Sequence, residues 1–177
     1  LLIDGRFLGK SGVGRYLNEI LKHLDPTNFE VTIFGDITEL QKYEFNFDVR
    51  FLEFSYQPLT LSEQLGYLSL PAKFDIYWSP HLNIPIFKKL AKHNICTLHD
   101  LISFEHSARI HKMAYFTILI LILKLRNYTV LFDTKHVKEK LAWLKFRRTK
   151  VISLAPANIF HRRNMNRTLS SSPQEAY

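Results

Sequence analysis

Glycine is scarce in this 177-residue chain. There are six, and four of them, Gly5, Gly9, Gly12 and Gly14, crowd into one stretch, DGRFLGKSGVGRY at positions 4–16. Cysteine is scarcer still. Cys96 stands alone, which excludes an internal disulfide, and with no signal-like segment at the start the expectation is a reduced, cytoplasmic chain. Long hydrophobic runs are missing too: the most apolar segment, Met113–Leu123, has eleven residues, short of the roughly twenty that a membrane-spanning helix needs, and is expected as a buried helix. Paired cysteines and helical zinc spacings are lacking among His81, His93, His99, His106 and His111, so no metal is expected. No internal repeat, low-complexity tract or second core is visible.

What is present is a globular composition, 46% apolar and 23% charged, in a chain long enough for one ordinary core. Only the end, from about Asn164, is polar and patternless enough for a loose tail. The net charge of +8 is unevenly spread. Residues 1–123 carry twelve Lys/Arg against thirteen Asp/Glu, whereas residues 124–167 carry twelve against two. Such a basic stretch suits anionic lipid, nucleic acid or a phosphorylated substrate, or is simply a solvated face.

Periodicity orders the chain into alternating strands and helices. Val13, Tyr16, Leu17, Ile20, Leu21 and Leu24 follow helical spacing, and Asp25-Pro26 stops that helix. Strands are expected over 29–34, 49–54, 74–78, 93–98, 128–132 and 151–154, and further helices over 62–70, 108–126 and from a Thr134 cap to about 144. Several strands are almost entirely apolar, which requires cover on both faces. The expected fold is therefore a doubly wound, mostly parallel, Rossmann-like α/β domain. In such sheets ligands sit at the carboxyl ends of the strands, where 5–14, 79–85 and 99–105 should lie.

A glycine-rich turn between strand and helix admits a ligand close to the backbone, and the free N–H groups of the helix start favour phosphate. The arrangement Gly9-x-x-Gly12-x-Gly14-Arg15 is not the triphosphate loop, because Lys10-Ser11 comes too early. Nor does it complete the dinucleotide fingerprint, whose third small residue is replaced by Leu17. A tight turn without a ligand competes with both. Cys96, amid apolar neighbours, reads as core, and Asp4/Asp100 and Glu63/Asp75 lack the spacing of acid–base partners.

Read together, distant segments carry more. Asp4-Gly5-Arg6 with Ser11-Gly12-Val13-Gly14-Arg15-Tyr16, Glu63-Gln64 with Pro71, Asp75-Ile76-Tyr77-Trp78-Ser79-Pro80 with Pro85, Cys96-Thr97-Leu98-His99-Asp100-Leu101, and Lys138 with Leu141 resemble the N-terminal half of family four glycosyltransferases. These are retaining sugar transferases of the GT-B fold. The resemblance covers most of residues 1–160, and implies a Rossmann-like acceptor-side domain there, with 161–177 a loose tail or the start of an interdomain linker.

It further implies transfer of a sugar from a nucleotide-sugar donor to a glycan or lipid-linked acceptor, with no cofactor besides the donor itself. Gly12 and Gly14, with Arg15, would lie beside the donor diphosphate, and His99 beside the transferred sugar, with Asp100 next to it. Backbone N–H groups at a helix start can stabilise the charge that builds on the leaving diphosphate without a metal. The sequence departs from the pattern at Thr134, where serine is usual, and at Ala155-Pro156-Ala157-Asn158, where a Pro-x-Gly turn is usual. The donor-binding second domain is not represented in these residues.

Three other readings concern partners. The basic flank could hold the chain on the anionic inner face of a membrane. A basic nucleic-acid-binding domain is a second reading, although no nucleic-acid motif is visible and no specific nucleic acid is expected. A noncatalytic domain that binds a separate donor-domain chain is the third. Because transfer needs both substrates held in reacting geometry, this chain incubated alone with a panel of nucleotide sugars and acceptors should give little or no transfer or donor hydrolysis. Clear turnover would refute that expectation.

Overall fold

The fold is seen in a computed structural model that describes residues 1–99 and 110–153. Seven strands form one all-parallel sheet: β1 (Leu2–Asp4), β2 (Val31–Gly35), β3 (Val49–Glu53), β4 (Phe74–Ser79), β5 (Ala91–Leu98), β6 (Thr129–Phe132) and β7 (Arg148–Val151). Their order across the sheet is β3-β2-β1-β4-β5-β6-β7. This is the doubly wound, Rossmann-like α/β arrangement expected from the alternation of elements. The winding reverses between β1 and β4, where Ile3 pairs with Ile33 on one side and Trp78 on the other.

Helices cover both faces in two separate layers. Tyr16, Leu17 and Leu21 of α1 (Gly12–Lys22) and Leu40 of α2 (Ile37–Leu40) pack with Ile3, Val31, Ile33 and Trp78. On the other side Phe116, Leu119 and Leu123 of α4 (Ile110–Leu125) join Tyr67 and Leu70, which follow α3 (Leu61–Gly66). Leu141 and Leu144, just beyond α5 (Lys135–Lys140), belong to the same core. Right-handed crossovers account for this division, since β1 and β2 hand the chain one way across the sheet and β3 to β6 hand it the other.

The expected Thr134 cap is present, and three further residues cap helices in the same way. Ser11, Asp36, Thr60 and Thr134 each accept a hydrogen bond from a backbone N–H of the helix that follows. Two differences are informative. The last strand is Arg148–Val151 rather than 151–154: at a sheet edge only one side of the strand must be apolar, so RTKV alternates between exposed and half-buried positions and lacks the apolar run used to place it. The four-residue α2 was not anticipated, being too short to show a period.

The apolar segment at 113–123 is a helix but not a buried one. Phe116, Leu119 and Leu123 are buried, whereas Met113, Ile118 and Leu121 are exposed. One side of α4 meets the sheet and nothing among the described residues covers the other. The residues 154–177, including the expected tail, lie outside the described part of the chain.

Beneath the rim of the sheet sits a buried ionic network. The Arg6 guanidinium grips Asp4 with Nε to Oδ1 at 2.9 Å and Nη2 to Oδ2 at 2.6 Å, and donates through Nη1 to Glu63. Tyr67 and Asn83 bond the same group of side chains, and the backbone N–H of Leu59 donates to Glu63 Oε2 at 2.8 Å. The rings of Phe34, Phe54 and Tyr67 stand 5.0–5.6 Å from the guanidinium carbon. Burial alone would lower the pKa of Arg6, but Asp4, Tyr67 and Glu63 hold it well above its ordinary value. Burial raises Glu63, against the pull of Arg6.

Removing Arg6 would strand two buried carboxylates. Arg6→Met should therefore lower the unfolding free energy by about 3–5 kcal/mol at neutral pH, measured by urea denaturation. The folded form of the variant would hold protons that the unfolded chain has released. Its stability should then fall as pH rises, and recover part of the loss on acidification toward about pH 5. A loss independent of pH would show that packing, not charge, is what Arg6 supplies.

Candidate functional site

Four segments meet at the carboxyl rim where the winding reverses: the β1–α1 loop (5–11), the start of α1, the loop after β4, and the end of β5. The ring of Phe7 stacks on that of His81 at 4.8 Å, joining the first loop to the third. Tyr16 of α1 stands edge-on to His99 at 4.8 Å, joining the helix to the end of β5. Ser79 Oγ donates to the carbonyl oxygens of His81 and Asn83, which shapes the turn after β4.

The two glycines singled out for diphosphate contact have different surroundings. A Cβ on Gly14 would fall 1.8 Å from the Phe7 carbonyl oxygen and 2.9 Å from the Gly9 nitrogen, so this glycine lets the loop pack onto its own helix. Gly12 has nothing within 4 Å of such an atom and faces solvent. Ser11 Oγ accepts from the Gly14 N–H at 3.4 Å, and the Arg15 N–H bonds the Ser11 carbonyl. The N–H groups of Gly12 and Val13, at the first turn, have no partner within the helix. Arg15 is exposed on that same turn. Gly9 adopts φ of +70°, and a side chain there would strike the Tyr43 hydroxyl.

His99 is held from two sides. Its Nε2 lies 2.9 Å from the Pro80 carbonyl oxygen and its Nδ1 lies 3.2 Å from Asp133 Oδ2. Both neighbours are acceptors, so the ring satisfies both only with a proton on each nitrogen. A sugar hydroxyl could reach a ring nitrogen only by displacing one of them. The other Asp133 oxygen, Oδ1, is buried and has no hydrogen-bond partner among the described residues. Asp100 lies outside the described residues.

Asp133 was missed because the sequence marks it only as the residue before a helix cap. Its place at the end of β6, next to the end of β5, was the available signal. Asp4, Arg6 and Glu63 were visible only as pieces of the resemblance, and the carboxylates looked unrelated until the fold set Arg6 between them. Asp75 is exposed and pairs with Lys92 at 2.6 Å. Cys96 is fully buried, and burial pushes its thiol well above the ordinary value, which fits a core residue rather than a nucleophile.

A cavity of about 240 Å³ opens on the far side of the glycine loop. Its walls include Arg6, Lys10, Asp36, Tyr43, Tyr56 and Gln57, at the carboxyl ends of β1 to β3. Neither Gly12 nor His99 lines it, so this cavity is separate from both of those residues. Comparison with protein-family models, with curated proteins and with solved structures gives no match to this chain.

The two glycines should respond differently to substitution. Gly12→Ala is expected to change stability by less than about 1 kcal/mol. Gly14→Ala should destabilise by about 1–3 kcal/mol or more, because the obstacle is backbone and cannot rotate away. Thermal denaturation of the two variants side by side checks this, and equal effects would contradict the packing described.

Proposed function

We propose that these residues form the acceptor-side half of a retaining, GT-B-type sugar transferase that uses a nucleotide-sugar donor. The observation that supports the reading is the contact of Tyr16 with His99, 4.8 Å between ring centroids, which joins α1 to the residue that follows β5. The donor's diphosphate would lie against the Gly12 and Val13 N–H groups, which have no partner among the described residues, with Arg15 exposed beside them. At that place the positive end of the eleven-residue α1 favours an anion whose charge grows as the glycosidic bond breaks.

His99, braced by Asp133 and the Pro80 carbonyl, would flank the transferred sugar. Its ring can donate to a hydroxyl in exchange for one of those contacts. The cavity lined by Tyr43, Tyr56, Gln57 and Asp36 suits a hydroxyl-rich acceptor, since it offers aromatic faces beside hydrogen-bonding groups. The glycan or lipid-linked nature of that acceptor follows from the family resemblance alone.

Amide-resolved NMR of the full chain, titrated with a nucleoside diphosphate at millimolar concentration, tests the diphosphate position. The Gly12 and Val13 amides should move most, and Gly14 less, because Ser11 already caps it. Shifts confined to other parts of the chain, or none, would overturn the assignment.

A further inference from the structure

The helix layer formed by α3, α4 and the turn after α5 has an outward surface unlike the rest of the molecule. Leu61, Leu65 and Leu68 make one exposed stripe, and Ile118, Leu121 and Leu125 of α4 make a second. A bond from Gln64 Nε2 to the Tyr115 hydroxyl, 2.8 Å, fixes the two helices side by side. Beyond α5, Trp143 is 66% exposed and overhangs a largely apolar groove of about 240 Å³ against Phe116, Ile120 and Leu121. Lys124 stands at the groove edge. Apolar side chains in adjoining exposed rows mark an interaction surface, where scattered ones would not.

Charge identifies the occupant. Between residues 124 and 150 eight Lys/Arg side chains are exposed, among them Lys135, Lys138, Lys145 and Arg148, against a single exposed acid, Glu139. The opposite layer has the reverse balance, with eight Asp/Glu and four Lys/Arg over residues 15–53. A second copy of this chain docked by the same face would bring one basic border toward another. A domain closing over the rim would meet the strand ends, not the flat of this layer. An anionic bilayer matches both halves of the pattern, taking the leucines and Trp143 into its interfacial zone and the lysines against its headgroups. No described helix is long and apolar enough to cross a membrane, so the contact is one of lying on the surface.

We infer that this face docks on an anionic lipid bilayer, through α3, α4 and Trp143. The inference does not depend on the sugar-transfer reading, since none of these side chains belongs to the rim. Co-sedimentation of the full chain with phosphatidylcholine vesicles, and with vesicles carrying about 30% phosphatidylglycerol, should show at least about tenfold stronger partition onto the anionic set. Trp143 emission should shift to the blue on binding. Trp78, only 7% exposed, should contribute no shift, so Trp143→Phe removes it while leaving the partition largely intact.

The double variant Leu121→Ser with Leu125→Ser keeps every charge and alters only exposed positions, so its unfolding curve should match the parent. It should lose about tenfold or more of the partition. Equal binding to neutral and anionic vesicles would overturn the inference, as would binding that the double variant leaves unchanged. Concentration-dependent dimerisation abolished by the same variant, without vesicle binding, would instead make a second copy the occupant. Retention on an oligonucleotide with no vesicle binding would reassign the basic border to nucleic acid.

Discussion

Burying a guanidinium is tolerable only when nearly all of its donors are met, and Arg6 shows what that requirement does to a fold. Its donors reach Asp4 at the end of β1, Glu63 on α3 and the Tyr67 hydroxyl, while three aromatic rings close around it. The bonds tie residues 4–6 to 63–67, and Asn83 brings in the loop after β4. Charged groups in this position are poor sources of net stability compared with well-packed apolar ones. What they provide is direction. A carboxylate at the end of β1 and another on α3 must both face one cation, which sets the angle at which α3 and the β4 loop approach the rim.

From that anchoring the site geometry follows. With the β1–α1 loop held by Arg6 at its root, Gly14 can press against the Phe7 carbonyl and bring α1 in close behind the loop. Tyr16 then reaches His99 and Phe7 reaches His81, so two loops, the start of a helix and one strand end are joined. Among the described residues the rim thereby combines an exposed helix start with an imidazole braced by Asp133 and the Pro80 carbonyl.

The two sides of α4 illustrate a different constraint. An all-parallel sheet needs cover on both faces, and Phe116, Leu119 and Leu123 supply it. The cover needs only one side of the helix, yet the sequence ILILILKL continues apolar around the whole circumference. Folding alone does not call for Ile118, Leu121 and Leu125.

Local pattern alone determined much of this protein. The period of α1, the Thr134 cap and the strands expected over 29–34 and 93–98 are all readable because each is decided by neighbours within a few residues. The doubly wound order follows from their alternation, and with it the placing of Gly12, Gly14, Arg15 and His99 toward one edge. What tertiary structure decided was which groups meet. No pattern within a short window can reveal that Glu63 lies against Arg6, that Asp133 faces His99, or that Gly14 serves packing while Gly12 stays open, since these depend on crossovers spanning tens of residues. For the same reason the edge strand at 148–151 and the bare side of α4 escaped the pattern. Hydrophobic periodicity reports that a side chain avoids water, but only the assembled sheet determines whether anything in the chain is there to shield it.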